Sequence, residues 1–217
     1  MNFPLLLVNF KTYRKGTGQA ALELARICED VSKETGKSIA VVVQTTDIRT
    51  ISEAVNIPVF AQNIDPIDYG SNTGHILPEA VKEAGAYGTV INHSECKRKI
   101  DSIERCIQIS KRLGLKTVVC ASKPNVVEAI SAFEPDIIAA EPPELIGGDI
   151  SVSNAKPSLI TESVTRSDTH VICGAGIKDD RDVAKALELG AKGVFVASGI
   201  VRAKAVEKKI RELVNAF

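Results

Sequence analysis

The chain of 217 residues has no tryptophan, one methionine and only 4% aromatic residues. A core so poor in rings has to be filled by Ile, Val, Leu and Ala. Net charge is also missing, with 27 Lys+Arg against 27 Asp+Glu. That balance argues against a chain that neutralises nucleic acid or an anionic membrane surface, since both tasks need a surplus of basic side chains. It leaves room for a local basic pocket that takes a small anion. The five cysteines, Cys28, Cys96, Cys106, Cys120 and Cys173, form no CxxC pair and no Cys/His spacing typical of zinc. They read as reduced thiols, mostly buried, of a cytoplasmic protein. No apolar run approaches the ~18 residues needed to span a bilayer. Leu5-Leu6-Leu7-Val8 follows no basic segment and is too short for a signal sequence. Disorder, collagen-like repeats and a disulfide scaffold are excluded by a composition of 44% hydrophobic and 25% charged residues.

What the chain does contain is a strict alternation. Short apolar runs occur at Leu5–Phe10, Ile39–Val43, Val59–Ala61, Thr89–Ile91, Thr117–Cys120, Ile137–Ala140, Val171–Cys173 and Gly193–Ala197. Several are continuously apolar and β-branched, as in strands covered on both faces of a parallel sheet. Between them lie helical patterns: Gln19–Thr35, Asp47–Val55, Pro78–Ala84, Asp101–Leu113, Lys123–Phe133, Pro157–Thr165, Asp179–Leu189 and Val201–Val214. Prolines stand at helix starts, and Gly36, Gly85, Gly114 and Gly190 at helix ends. No linker or charge block interrupts the series, so residues 1–217 read as one domain. Eight βα units predict a compact α/β fold, a single closed (β/α)₈ barrel. An open doubly wound sheet is the rival, but the first strand leads into Asn9-Phe10-Lys11-Thr12 and not into a GxGxxG turn.

In such a barrel the active site is expected at the carboxyl ends of the strands. Asn9 and Lys11 follow strand 1, Gln44 strand 2, Gln62 and Asn63 strand 3, and Asn92-His93-Ser94-Glu95 strand 4. Glu141 follows strand 6 directly, between Ile137-Ile138-Ala139-Ala140 and two prolines. Partial desolvation there would raise its pKa and suit it to general-base work. His93 could donate a hydrogen bond to a developing oxyanion, and Lys11 would supply a fixed positive charge. His75 and His170 receive no role. The turns Gly174-Ala175-Gly176 and Ala197-Ser198-Gly199 let backbone N–H groups approach an anion. Pro142–Asp149 has prolines at its start and Gly147-Gly148 near its end, a stiff front and a permissive end, as expected of a lid. No acidic metal cluster is visible, so no metal is invoked.

Seven motifs in order give the chain a resemblance to the triosephosphate isomerase family, in its short archaeal-type form. They are Val8-Asn9-Phe10-Lys11, Ala61-Gln62-Asn63, Thr73-Gly74, Asn92-His93-Ser94-Glu95, Ala140-Glu141-Pro142-Pro143-Glu144-Leu145-Ile146-Gly147, Cys173-Gly174-Ala175-Gly176-Ile177 and Ala197-Ser198-Gly199. The resemblance spans nearly the whole chain. It implies a cofactor-independent TIM-barrel enzyme of glycolysis and gluconeogenesis that interconverts dihydroxyacetone phosphate and D-glyceraldehyde 3-phosphate. It further implies Glu141 as the proton-moving base, His93 as a neutral electrophile, Lys11 with Asn9 as the positive pole, and Glu95 as a supporting carboxylate. Ile146, Gly147, Gly176, Ala197 and Ser198 would offer N–H groups to the phosphate. Relatives of this length resemble homotetramers, with the dimer as the other form, and the loop around Asp65–His75 looks like the segment that reaches a neighbouring subunit.

The chain also departs from the family pattern. Many relatives have Trp where Glu144 stands. Gly148-Asp149 replaces a more usual Thr-Gly, and Ser151 and Asn154 replace Pro and Lys. Gly176 stands where longer relatives use Ser, so phosphate binding at that turn would rest on backbone alone. The chain is shorter than the common form of roughly 250 residues, and the trimming is expected in the outer helices. Two other functions share some of these features. Another phosphate-binding barrel synthase or isomerase, of the tryptophan or thiamine pathway type, would share the two glycine turns but leave Asn9, Lys11, His93 and Glu141 unexplained. A non-catalytic phosphate-binding barrel should have lost one of Lys11, His93 or Glu141.

Overall fold

The structure is a computed structural model that describes residues 2–142 and 156–217. Its eight strands are β1 Leu5–Asn9, β2 Ser38–Val43, β3 Val59–Ala61, β4 Gly88–Ile91, β5 Lys116–Ala121, β6 Ile137–Ala140, β7 His170–Cys173 and β8 Gly193–Val196. They pair in parallel and in chain order, and β8 returns to β1, closing the barrel. The open-sheet alternative is therefore excluded. The described helices are α1 Gly18–Thr35, α2 Ile48–Ser52, α3 Pro78–Glu83, α4 Ile100–Leu113, α5 Pro124–Ser131, α6 Pro157–Thr165, α7 Asp180–Glu188, α8 Ser198–Val201 and α9 Val206–Val214.

Side-chain alternation sorts the apolar residues into two layers. Leu5, Leu7, Ala40, Val42, Phe60, Val90, Val118, Cys120, Ile137, Ala139, Ile172 and Phe195 fill the barrel interior. Their neighbours, such as Leu6, Val8, Ile39, Val41 and Ile138, face outward and pack under the helices. Aliphatic side chains fill most of the interior, which is why so few aromatics suffice. Barrel closure also needs a residue without a side chain. Gly193 has φ 148°, and a Cβ there would lie 2.1 Å from the Leu5 carbonyl oxygen of the strand it pairs with.

The helices follow the expected pattern, with one informative difference. The expected helix over Val201–Val214 is two helices, α8 and α9, separated at residues 202–205. At about 100° per residue, a continuous helix would put Val201 almost opposite the stripe formed by Ile210, Leu213 and Val214. All four are fully buried. Breaking the helix lets α8 bury Val201 in the layer between barrel and helices while α9 turns its own stripe onto α1 and α7. α2 is also shorter than its expected range, ending at Ser52.

Candidate active site

Strand parity continues into the mouth of the barrel. Asn9 has the same parity as Leu5 and Leu7, and Glu141 the same as Ile137 and Ala139, so both point over the interior. On β4 that parity is broken on purpose. Asn92 sits in the left-handed region at φ 62°, anchored by its Nδ2 donating to the Cys120 carbonyl at 2.9 Å and its Oδ1 accepting from Arg98 N–H at 2.9 Å. The next residue, His93, is thereby turned into the cleft. This cleft holds about 620 Å³ of empty space and is lined by Asn9, Lys11, His93, Glu141, Phe195 and the two glycine turns. The structure thus brings Glu141, His93, Lys11, Asn9, Gly176, Ala197 and Ser198 to one cavity. Glu95 stands at its edge, bonded to Lys11. Ile146 and Gly147, and most of the expected lid, lie outside the described residues.

Glu141 is only 3% exposed, and its N–H donates to the Ala121 carbonyl at 2.8 Å. Burial pushes its carboxyl up to about 7, against the opposing pull of the Cys120 thiol hydrogen bond and of the Lys11 and Lys97 charges. The thiol of Cys120 is itself held well above its ordinary range by burial and by that neighbouring carboxylate. Oε2 of Glu141 has no hydrogen-bond partner among the described residues, although it is buried. It lies 3.7 Å from Nε2 of His93.

His93 accepts a hydrogen bond at Nδ1 from the Glu95 N–H, at 3.2 Å. That bond leaves the proton of the neutral ring on Nε2, the nitrogen that faces Glu141. Burial, with the positive charges of Lys11 and Lys97, lowers the His93 pKa to about 4, while Glu95 opposes the shift. The imidazole is neutral at pH 7, so its approach to Glu141 is not an ion pair. Phe195 meets the ring edge-on, with centroids 6.2 Å apart at 85°.

Lys11 is held at several points. Its φ is 47°, its N–H donates to Asn9 Oδ1 at 2.9 Å, and its carbonyl accepts from Gln62 Nε2 at 2.8 Å. Its ammonium pairs with Glu95 Oε1 at 2.8 Å and is largely shielded, while the Glu95 side chain is exposed. Gly174 shows how closely the site is packed. A Cβ at that position would lie 2.7 Å from Glu141 Oε1 and 2.8 Å from Cγ.

Sequence reasoning placed the charged residues but gave no role to Asn92, Cys120, Phe195 or Gln62. Cys120 and Phe195 were legible in principle, since each sits at an inward position of its strand near the carboxyl end. The left-handed turn at Asn92 had only the general tolerance of Asn for that conformation as a signal. Elsewhere, His75 Nδ1 lies 3.3 Å from Asp65, and His170 meets Phe3 in a tilted ring contact with centroids 4.3 Å apart, at the amino end of β7. Four cysteines are buried, Cys96 is exposed, and none of the five is in a disulfide. Among the described residues, no group of His, Cys, Asp and Glu is arranged to hold a metal ion, and no helix is long and apolar enough to cross a membrane.

A family model described as triosephosphate isomerase matches residues 4–215. A triosephosphate isomerase of Methanocaldococcus jannaschii is 50% identical over 216 residues, covering 97% of this chain and 99% of its own. One from Methanothermus fervidus is 46% identical over 220 residues, 99% of each chain. A crystal structure of triosephosphate isomerase from Bartonella henselae superposes with a TM-score of 0.74 at 19% identity, covering 95% of this chain and 97% of that one, which speaks to the fold alone.

Proposed function

The chain belongs to the triosephosphate isomerase family, and from that membership we propose that it interconverts dihydroxyacetone phosphate and D-glyceraldehyde 3-phosphate through an enediol(ate), with Glu141 moving the proton. The observation that carries the assignment of the base is the buried Glu141 carboxylate. One of its oxygens is unpartnered among the described residues, and it shares one cleft with a neutral imidazole and a fixed ammonium.

The carboxylate of Glu141 removes a proton from the carbon next to the carbonyl, and the electron pair moves onto the carbonyl oxygen. A base with a pKa near the working pH is efficient in both directions, because it must also return the proton to the neighbouring carbon. Nε2–H of His93 donates to the oxygen on which charge develops. A neutral donor does so without surrendering its proton outright. The Lys11 ammonium, steadied by Asn9 and Glu95, adds positive charge beside the same oxygens. Backbone N–H groups of Gly176, Ala197 and Ser198 take the phosphate, joined by Ile146 and Gly147. An enediol phosphate open to water can eliminate its phosphate, so the segment after Pro142 is read as the cover that excludes water. The chemistry calls for no cofactor.

We read residues 1–217 as one catalytic domain. Five cysteines outside any disulfide support a reducing, cytoplasmic setting. The assembly is proposed as a homotetramer, with the dimer as the smaller alternative. Support comes from the family resemblance and from Tyr69, 74% exposed on the loop after β3.

The pH profile tests the base. With its pKa raised to about 7, Glu141 is an ionised base only above that value. kcat/KM therefore falls about tenfold per unit as the pH drops below 7. An acid limb in the ordinary carboxylate range, near 4, contradicts the assignment. Gly174→Ala tests the geometry. The new methyl group displaces the Glu141 carboxylate, and kcat drops by about tenfold or more in a folded protein. Unchanged kcat in that variant means that the carboxylate is free to move without consequence.

A further inference from the structure

Lys11 stands between two cavities. It lines the cleft shared with Glu141 and also a second cavity with about 900 Å³ of empty space, bounded by Thr12, Tyr13, Gln62 and Asn63. With space on both sides, packing alone does not fix where this side chain points, and its hydrogen bonds must. Its backbone conformation, with φ 47°, is one that a residue other than glycine keeps only where its surroundings hold it. Asn9, the last residue of β1, holds the N–H from two residues away, and Glu95 holds the ammonium through an exposed side chain.

The remaining tether comes from another strand. Gln62 follows β3 directly, and its own N–H donates to the Val43 carbonyl at 3.1 Å, so its main chain is fixed to β2. From there its Nε2 donates to the Lys11 carbonyl at 2.8 Å. We propose that Gln62 is a positioning residue for the reaction: by holding the Lys11 carbonyl it keeps the ammonium aimed between Glu95 and the substrate cleft. The inference rests on the role given to Lys11 under Proposed function. It extends that role to a residue that touches no reacting atom.

The consequence reaches beyond Lys11. Among the described residues, the charged and titratable groups acting on Glu141 are Lys11 and Lys97, which favour its ionised form, Glu95, which opposes it, and the Cys120 thiol, with His93 at 3.7 Å. Moving Lys11 away removes a stabilising charge from the ionised base. The acid limb of kcat/KM then shifts to higher pH. A loss of folded protein alone lowers the whole profile and leaves the limb where it was.

The test compares the parent enzyme with Gln62→Met, Lys11→Met and the double variant, each checked for folding by circular dichroism and thermal melting. Gln62→Met keeps the length of the side chain but removes the donor. Its kcat/KM is expected to fall about tenfold to thirtyfold, with the acid limb displaced upward. The double variant should be no worse than Lys11→Met, because a residue that acts through Lys11 has nothing left to act on. If Gln62→Met folds poorly, Gln62→Asn, one methylene short of the carbonyl, should give the same displacement of the limb. Parental kinetics and an unmoved limb in a folded Gln62 variant overturn the inference while Lys11→Met remains crippled. So does a double variant whose losses simply multiply. A Lys11→Met enzyme with parental rate overturns the role of Lys11 itself and this inference with it, so the two failures are distinguishable.

Discussion

Glu141→Gln is expected to lower kcat by about 10²- to 10⁴-fold, the range associated with losing a positioned general base. The amide has the shape of the carboxylate but cannot accept the proton. KM should change much less, because the phosphate is proposed to sit on the turns after β7 and β8 and not on Glu141. The same substitution should raise stability at alkaline pH. Burial lifts the Glu141 pKa from 4.5 to about 7, so between these values the folded protein holds a proton that the unfolded chain has released. Stability due to this group is therefore complete below about 4.5, falls as the pH rises, and is lost above 7. The difference is on the order of 3 kcal/mol. Gln carries no such penalty. The variant should melt above the parent at pH 8, and the gap should close as the pH falls toward 4.5. An inactive variant that is also less stable at pH 8 would mean that the carboxylate is a structural group.

Lys11→Met is the second large effect. Its ammonium is a positive charge lining the cleft with Glu141, held by Glu95 at 2.8 Å and largely shielded from water. Charge stabilisation of this kind counts for more in a sheltered site than in water. Removing it is expected to lower kcat/KM by about 10²- to 10³-fold. Two further changes follow from the same charge. Lys11 acts to lower the pKa of both His93 and Glu141, so in the variant both should rise. The acid limb of kcat/KM should move above that of the parent. The Glu95 carboxylate, left without its partner, is already exposed, so melting temperature should change little. Full activity, or a large loss of stability with an unmoved acid limb, would contradict the electrostatic role.

Much of this architecture is legible in the sequence because the barrel repeats one pattern. Continuous runs such as Ile137-Ile138-Ala139-Ala140 announce a strand buried on both faces, and the next residue, Glu141, falls at the rim by position alone. The same arithmetic puts Asn9 and Lys11 together after β1. What resisted was chemistry made by contacts between strands. Cys120 looks like another buried thiol until the barrel closes and sets it against Glu141. Gln62 looks like a polar strand end until its amide is found on the Lys11 carbonyl, 51 residues away in sequence. The division of the last helix into α8 and α9 was written in the spacing of Val201 against Ile210, Leu213 and Val214, but it shows only when the angular positions are counted.

The account stands on Glu141 carrying the proton between the two carbons. Conversion of dihydroxyacetone phosphate in deuterium oxide, with the product trapped as formed and weighed by mass spectrometry, tests this most directly. A carboxylic acid that exchanges with solvent should place one deuterium on the carbon next to the aldehyde in a measurable fraction of the product, and Glu141→Gln should slow the appearance of labelled product by about 10²- to 10⁴-fold, the same factor as kcat. Product formed at parental rate by Glu141→Gln, or product free of deuterium at every stage of the reaction, would contradict it.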